Sequence, residues 1–279
     1  MPLQLSETAR KEADIGFTAT TQEITRARQV QRRLLRPTSP SVENIDYEGR
    51  SLAARGISGD YFDFLAPRPG LLSVAVGDVS GKGISAALMM ATLQASLRTS
   101  YGTGKPDLVP ALTLVNDVFR QATASRHYAS LFLGEFDVVS QRLRYINCGH
   151  VSPLLLRSGG RVERLEPTTT VLGLFERWTP VIRECRLSAG DTLLAFSDGI
   201  TEAANSQGED FGERRLMDVA LHHRWLPVPD LMNELLSVSR EFCGPVQNDD
   251  MTLVVARVNR QRSQAVSAGR PDMTGSMVA

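Results

Sequence analysis

Four aspartate-bearing segments hold the residues of this 279-residue chain whose types and spacing could do chemistry. They read Ser58-Gly59-Asp60-Tyr61-Phe62-Asp63, Gly77-Asp78-Val79-Ser80-Gly81-Lys82-Gly83, Ser197-Asp198-Gly199 and Asp249-Asp250-Met251-Thr252. Each lies beside an apolar, strand-like run. An aspartate at the end of a buried strand is disfavoured by desolvation and by repulsion from its neighbours unless a positive charge compensates it. One such residue is readily explained as a helix cap or a turn. Four argue for a shared counter-charge, and a divalent metal is the simplest source. Carboxylates without His or Cys partners are hard oxygen donors, which suit magnesium or manganese rather than zinc.

Such a set suits two-metal hydrolysis of a phosphate ester. Two cations about 3.5–4 Å apart can acidify a water between them and hold phosphate oxygens during in-line attack. One carboxylate must bridge the ions. Asp78 is the candidate, because the surrounding glycines let backbone and ions approach closely. Its strand, residues 71–76, is apolar enough to run through a core. Asp198 follows the similar run Leu193-Leu194-Ala195-Phe196, and Asp249 precedes Thr252-Leu253-Val254-Val255. Other chemistries fail on spacing. The Gly81-Lys82 pair lacks the P-loop glycine five positions earlier, where Val76 stands, and the following Ser or Thr, where Gly83 stands. No Gly-x-Ser-x-Gly elbow occurs. The four histidines (His127, His150, His222, His223) lack zinc spacing.

The elements that must position these residues follow from periodicity. Residues 8–36 read as a helix with an apolar stripe of Ile24, Ala27, Val30 and Leu34 among arginines, ended by Pro37 and Pro40. The helix either packs on its own domain or serves dimerisation and signal coupling. Strands are predicted at 45–54, 58–65 and 71–77, then helices at 84–101 and 108–124. Further strands follow at 129–138, 141–147, 152–157, 179–187 and 191–197, helices at 213–221 and 230–242, and a last strand at 251–258. Strand blocks alternating with helix pairs predict an α+β fold. It is a four-layer αββα sandwich of two mainly antiparallel sheets flanked by helix pairs, preceded by the N-terminal helix. The expected organisation is a regulatory or dimerisation helix in 1–40, a catalytic domain in 41–259 and a disordered tail in 260–279.

Composition narrows the function classes. The formal net charge is zero with pI near 6.9, which predicts neither nucleic acid nor an anionic membrane as partner. Three scattered cysteines, Cys148, Cys185 and Cys243, fit reduced thiols of a cytoplasmic protein. No apolar stretch approaches the roughly 20 residues of a membrane span. Several residues near the motifs have plainer readings. Asp63 reads as a turn or surface residue, Lys82 as a solvated lysine, His150 as a structural histidine, and Thr252 as a partner of a neighbouring backbone group or Asp249.

The ordered set SGDYFDF, VAVGDVSGKGISAALMM, YINCGHVSPLLL, LLAFSDGITEA and DDMTLVV resembles the bacterial SpoIIE-like branch of the PPM metal-dependent protein phosphatases, relatives of protein phosphatase 2C. The resemblance spans about residues 45–258 and implies the same αββα fold. It implies hydrolysis of phosphoserine or phosphothreonine with two Mn²⁺ or Mg²⁺ ions and a metal-bridging hydroxide as nucleophile. Carried over by position, Asp60, Asp78, Asp198 and Asp249 become metal ligands together with the Val79 carbonyl. Asp78 and Asp198 are then the catalytic pair, and Asp250 ranks below Asp249 as a ligand or orienting group. The implied substrate is a phosphorylated anti-sigma-factor antagonist in partner switching, and the upstream helix resembles a regulatory one. The rival expectations are a catalytically silent binding regulator of the same fold and a small-molecule phosphoesterase. Two departures stand out: Ser58 where many relatives have glycine, and Val79 and Ser80 where eukaryotic relatives place the Gly-His of Asp-Gly-His-Gly. No histidine is available there as general acid.

Overall fold

The computed structural model describes residues 7–35, 40–54, 56–102, 107–123, 127–245 and 247–260, with backbone only over residues 7–20. The chain order is α1 (Glu7–Leu34), β1 (Ile45–Leu52), β2 (Asp60–Arg68), β3 (Leu71–Val79), α2 (Ile84–Gly102), α3 (Leu108–Thr123), β4 (Ala129–Asp137) and β5 (Arg142–Cys148). It continues through β6 (Leu154–Leu156), β7 (Val162–Arg164), β8 (Arg183–Arg186), β9 (Thr192–Phe196), α4 (Asp198–Thr201), α5 (Gly212–His222), α6 (Val228–Cys243) and β10 (Met251–Val258). The expected tail and the helix-ending Pro37 lie outside the described residues.

Two five-stranded sheets form, ordered β1-β10-β9-β6-β7 and β2-β3-β4-β5-β8. Every pairing between these strands is antiparallel. The period of two along each strand explains the layers. In β3, Leu72, Val74 and Val76 enter a core between the sheets, where Leu193, Ala195, Val254 and Ala256 also lie. Ala75 and Val79 face the other way, into a core completed by Met90, Leu93 and Leu97 of α2 and Leu112, Val115 and Phe119 of α3. The second sheet repeats the logic, with Leu194, Phe196, Leu253 and Val255 packing beneath α5 and α6. Strands apolar on both faces are buried on both faces. The αββα expectation is therefore met.

Local differences have physical causes. The strand predicted from residue 179 starts only at Arg183, after Pro180, which lacks an N–H for the ladder. A short β7 after the Gly159-Gly160 turn and the single-turn α4 were not anticipated.

Asp63 corrects the surface reading. It sits on the helix side of β2 with its side chain 1% exposed. Arg98 of α2 donates to it twice, at 2.6 and 2.8 Å, Tyr61 Oη donates at 3.0 Å, and the Phe64 N–H at 2.9 Å. This ion pair fastens α2 to the strand that begins with Asp60. Removing one partner of a buried pair strands the other charge, at roughly 3–5 kcal/mol. We expect Arg98→Met to lower stability by about that amount in urea denaturation; a loss below ~1 kcal/mol, the range of exposed pairs, would reject the role.

Candidate active site

Antiparallel register brings the first two aspartates together: Asp60 opens β2 and pairs directly with Asp78 near the end of β3. Gly77 lies where a Cβ would stand 2.7 Å from the Ser130 carbonyl oxygen, so β4 can approach only because no side chain intervenes. Beyond Asp78, Gly81 and Gly83 adopt positive φ (101° and 76°) and turn the chain into α2.

The other pair comes from the second sheet. Ser197 N–H donates to the Thr252 carbonyl at 3.0 Å, and Thr252 N–H donates to Ser197 Oγ at 2.9 Å. This exchange extends the β9–β10 ladder and sets Asp198 beside Asp249 and Asp250. Gly199 completes the approach, since a Cβ there would stand only 2.0 Å from the Asp250 carbonyl oxygen. Ser197 also crosses between the sheets, donating its hydroxyl to Asp60 Oδ2 at 2.7 Å. The Thr252 hydroxyl is buried beside Asp60, not Asp249.

Asp249 and Asp250 divide the work. Asp250 accepts the Ala54 N–H at 2.7 Å and the Gly59 N–H at 3.2 Å, so both its oxygens hold the loop before Asp60. Asp249 accepts the Asp250 N–H at 2.9 Å and pairs with Lys82 Nζ at 2.6 Å. Lys82 is thus engaged by the acid cluster, against the expectation of a merely solvated lysine. From the other side, Gln31 of α1 clamps the same loop: its Nε2 donates to the Ser58 carbonyl at 2.7 Å and its Oε1 accepts the Ser58 N–H at 2.9 Å. Gln31, Ser197 and Lys82 were missed or undervalued by sequence reasoning. The only available signals were the Ser-Asp-Gly and Gly-Lys-Gly contexts, and nothing marked Gln31.

The electrostatics record the crowding. Burial, then repulsion from Asp198, Asp249 and Asp250, pushes the Asp78 carboxyl up to about 7. Burial and then Asp78 hold Asp60 well above the ordinary carboxylate range, with the Ser197 hydroxyl offsetting part of the shift. Asp198 is raised by burial and by Asp249. Glu202, at the end of α4, is raised by burial and then by Asp198, Asp210 and Asp249. Carboxylates raised by burial and by neighbouring negative charge are ones that a cation would stabilise.

The donors fit hard divalent ions. They are all oxygens, and a Cβ at Gly59 would crowd both the Val79 carbonyl (3.1 Å) and Asp78 Oδ1 (3.4 Å), leaving that corner open only because residue 59 is glycine. Among the described residues no three His, Cys, Asp or Glu side chains yet converge on one point. Lys82 occupies Asp249 instead. That ion pair is about half exposed, a class worth ~0–1 kcal/mol, so it is a weak competitor for a divalent cation.

A carboxylate cluster at the strand ends of an antiparallel αββα sandwich defines a PP2C-like architecture. The chain belongs to the SpoIIE family: the model described as Stage II sporulation protein E matches residues 68–259, more than half of its length. It is 28% identical over 238 residues to the phosphoserine phosphatase RsbU of Bacillus subtilis, covering 84% of this chain and 70% of RsbU. It is 26% identical over 272 residues to protein IcfG of a Synechocystis strain, covering 85% of this chain but only 42% of IcfG. Its fold is similar to the SiaA-PP2C domain of Pseudomonas aeruginosa (TM-score 0.78, 20% identity, 88% of this chain and 99% of that one).

Behind Asp78, its register partner Ser130 meets the buried His150, with Ser130 Oγ and His150 Nδ1 2.8 Å apart. Asn147 Oδ1 accepts the His150 N–H at 2.8 Å, as a structural histidine requires. Burial pulls the imidazole down to about 4, so the folded state holds it neutral. The unfolded chain protonates it near 6.5, so its contribution to stability is present above that pH and is lost as pH falls toward 4. The loss amounts to about 3 kcal/mol. The stability gap between wild type and His150→Asn should narrow by that amount from pH 7 to pH 4 in urea titrations. A constant gap would show that the ring is not held neutral.

Proposed function

We propose that the chain is a metal-dependent protein serine/threonine phosphatase whose divalent cations, two Mn²⁺ or Mg²⁺ ions, are held by Asp60, Asp78, Asp198, Asp249 and the Val79 carbonyl. The observation that carries this reading is that both sheets end in buried carboxylates at one shared edge, near enough to raise one another's pKa. Membership of the SpoIIE family and similarity to a phosphoserine phosphatase support it. When bound, the cations supply Lewis acidity toward phosphoryl oxygens and lower the pKa of water. The chain's own residues do the positioning. Asp78 lies centrally between the acids of the two sheets and is the bridging candidate. Ser197 holds Asp60 in one orientation. Asp250 fixes the 54–59 loop and is an orienting residue rather than a ligand. Lys82, once displaced from Asp249, is placed to meet the charge of an incoming phosphate.

The substrate we infer is a phosphoprotein of the anti-sigma-factor antagonist class, as the family resemblance implies. In this reading residues 41–259 form the catalytic unit and α1 the regulatory one. Mn²⁺-dependent phosphate release from a phosphoserine peptide should be abolished by chelator. Asp78→Asn should lower it beyond the ~10–100-fold typical of losing a residue behind the ligands. Activity that survives the substitution would overturn the site; activity equal on nucleotide or sugar phosphates would overturn the substrate class. A chain that neither binds Mn²⁺ in calorimetry nor turns over would be a binding regulator.

A homodimer through α1 is part of the proposal. The C-terminal part of the expected apolar stripe is left uncovered: Val30 is 57% and Leu34 40% exposed. Ile24 is half-buried near Gly56, and the helix is attached through Gln31, Leu35 and the Leu34 carbonyl, which accepts from Gln94 Nε2 at 2.6 Å. The double substitution Val30→Glu, Leu34→Glu leaves the Gln31 clamp in place and should halve the mass measured by light scattering. An unchanged mass would reject the dimer.

A further inference from the structure

At the far end of β9 and β10 from the aspartates lies a cavity of about 110 Å³ walled by Arg224, Arg257, Thr192, Ser158, Gly190 and Trp225. Asp198 lies six positions beyond Thr192, just past the end of β9, so the cavity is roughly 20 Å from the carboxylate cluster at ~3.3 Å per residue. Its chemistry is the opposite of the acidic edge. Arg257 Nε donates to Thr192 Oγ1 at 2.9 Å and Nη1 to the Leu226 carbonyl at 2.5 Å, but Nη2 is buried without a partner. Arg224 Nη1 donates to the Leu221 carbonyl at 2.6 Å, while its Nε is likewise buried and unpartnered. The Arg224 guanidinium stacks on the Trp225 ring at 4.5 Å.

Neither guanidinium has an ion-pair partner among the described residues. The acids nearby are committed elsewhere. Asp191 accepts from Arg157 and from the Ser158 and Ser188 N–H groups, and Glu163 pairs with Arg157 and Arg161. Asp46, opposite Arg257 in the β1–β10 register, reaches it only at a distance and does not offset burial, which pulls the guanidinium below its ordinary pKa. Two half-buried guanidinium groups without a carboxylate partner therefore wall one small cavity, a concentration of positive charge that favours an anion there.

We infer that this cavity is a binding site for a phosphate-class oxyanion. Its size selects the ligand: drug-sized and nucleotide ligands occupy pockets of ~300–1,000 Å³, whereas this one has room for a single small anion. Its donors select the shape. Two guanidinium groups and Ser158 line the cavity, while the Thr192 hydroxyl is already committed to the Gly190 carbonyl and Arg257. Such a donor set suits a tetrahedral anion that accepts from several sides better than a planar carboxylate. This site does not depend on the phosphatase reading.

Trp225 provides a local probe, since it is 73% exposed beside Arg224, whereas Trp178, the second tryptophan, is buried elsewhere. Sodium phosphate titrated into the full chain should give a saturable change in tryptophan fluorescence, equal in Mg²⁺ and in EDTA and absent in Trp225→Phe. Sulfate should compete and acetate should not. O-phosphoserine in the same competition separates free phosphate from a phosphoryl group carried on a larger molecule. Arg224→Gln and Arg257→Gln should each weaken binding at least tenfold. Because Arg257 also anchors Thr192 and Leu226, Arg224→Gln, which gives up one carbonyl contact, is the decisive variant. A signal that needs Mg²⁺, or that survives Arg224→Gln, would place phosphate at the carboxylate edge and overturn the site. Absence of a saturable signal at millimolar phosphate would show that water alone satisfies the arginines.

Discussion

Repulsion among buried carboxylates is the constraint around which this molecule is arranged. Asp60, Asp78 and Asp198 are each driven toward protonation by burial and then by a neighbouring acid: Asp78 for Asp60, Asp198 for Asp78, and Asp249 for Asp198. Like charges at this spacing separate unless something holds them. Asp60 and Asp78 are held by a strand register that also places Leu72, Val74 and Val76 in the core. A slip of one residue would turn those three side chains to the wrong face and part the two acids together. The register set by the hydrophobic core brings the acids close, and the Ser197 hydroxyl then fixes Asp60 locally.

The second sheet meets the first at this edge through small residues. Gly199 lets α4 start against the Asp250 carbonyl, and Gly59 leaves the Val79 carbonyl and Asp78 exposed to a common corner. Ser197 spans the sheets with one hydroxyl, donating to Asp60 while its Oγ accepts from Thr252. A side chain at 59 would crowd the end of β3, and one at 199 would force α4 away from the segment before β10, on either side of the Ser197–Asp60 bond that joins the sheets. The glycines in the motifs are therefore read as close-approach positions as much as turn formers.

How much of this was legible in the sequence follows from the range of each interaction. The αββα layering was legible because strands buried on both faces are apolar throughout, and residues 71–76 and 192–196 announce that locally. The aspartates that end such strands were legible for the same reason. Asp63 was not, because Asp after Tyr-Phe is locally ambiguous and its counter-charge, Arg98, lies 35 residues away on a helix. Gln31 is 27 residues from the Ser58 it clamps, and a glutamine among arginines carries no signal for that. The paired arginines of the distal cavity are 33 positions apart, and their lack of counter-ions is a property of the folded surroundings alone.

The loop before Asp60 is where these two kinds of information meet. Asp250 holds it through the Ala54 and Gly59 N–H groups, and Gln31 holds it through both backbone polar groups of Ser58. One anchor belongs to the acid cluster and the other to α1, which reaches the sandwich through Gln31, Leu35 and the Leu34 carbonyl. Ser58 Oγ then accepts the Asp60 N–H at 2.9 Å, so a displacement of the clamp reaches the first aspartate through one residue. The α1 clamp is a pair of neutral amide hydrogen bonds, whereas the Asp250 anchor is a carboxylate accepting two backbone N–H groups. The loop is thus held from two sides, and loss of the α1 clamp would leave the segment that leads into Asp60 held from the acid cluster alone.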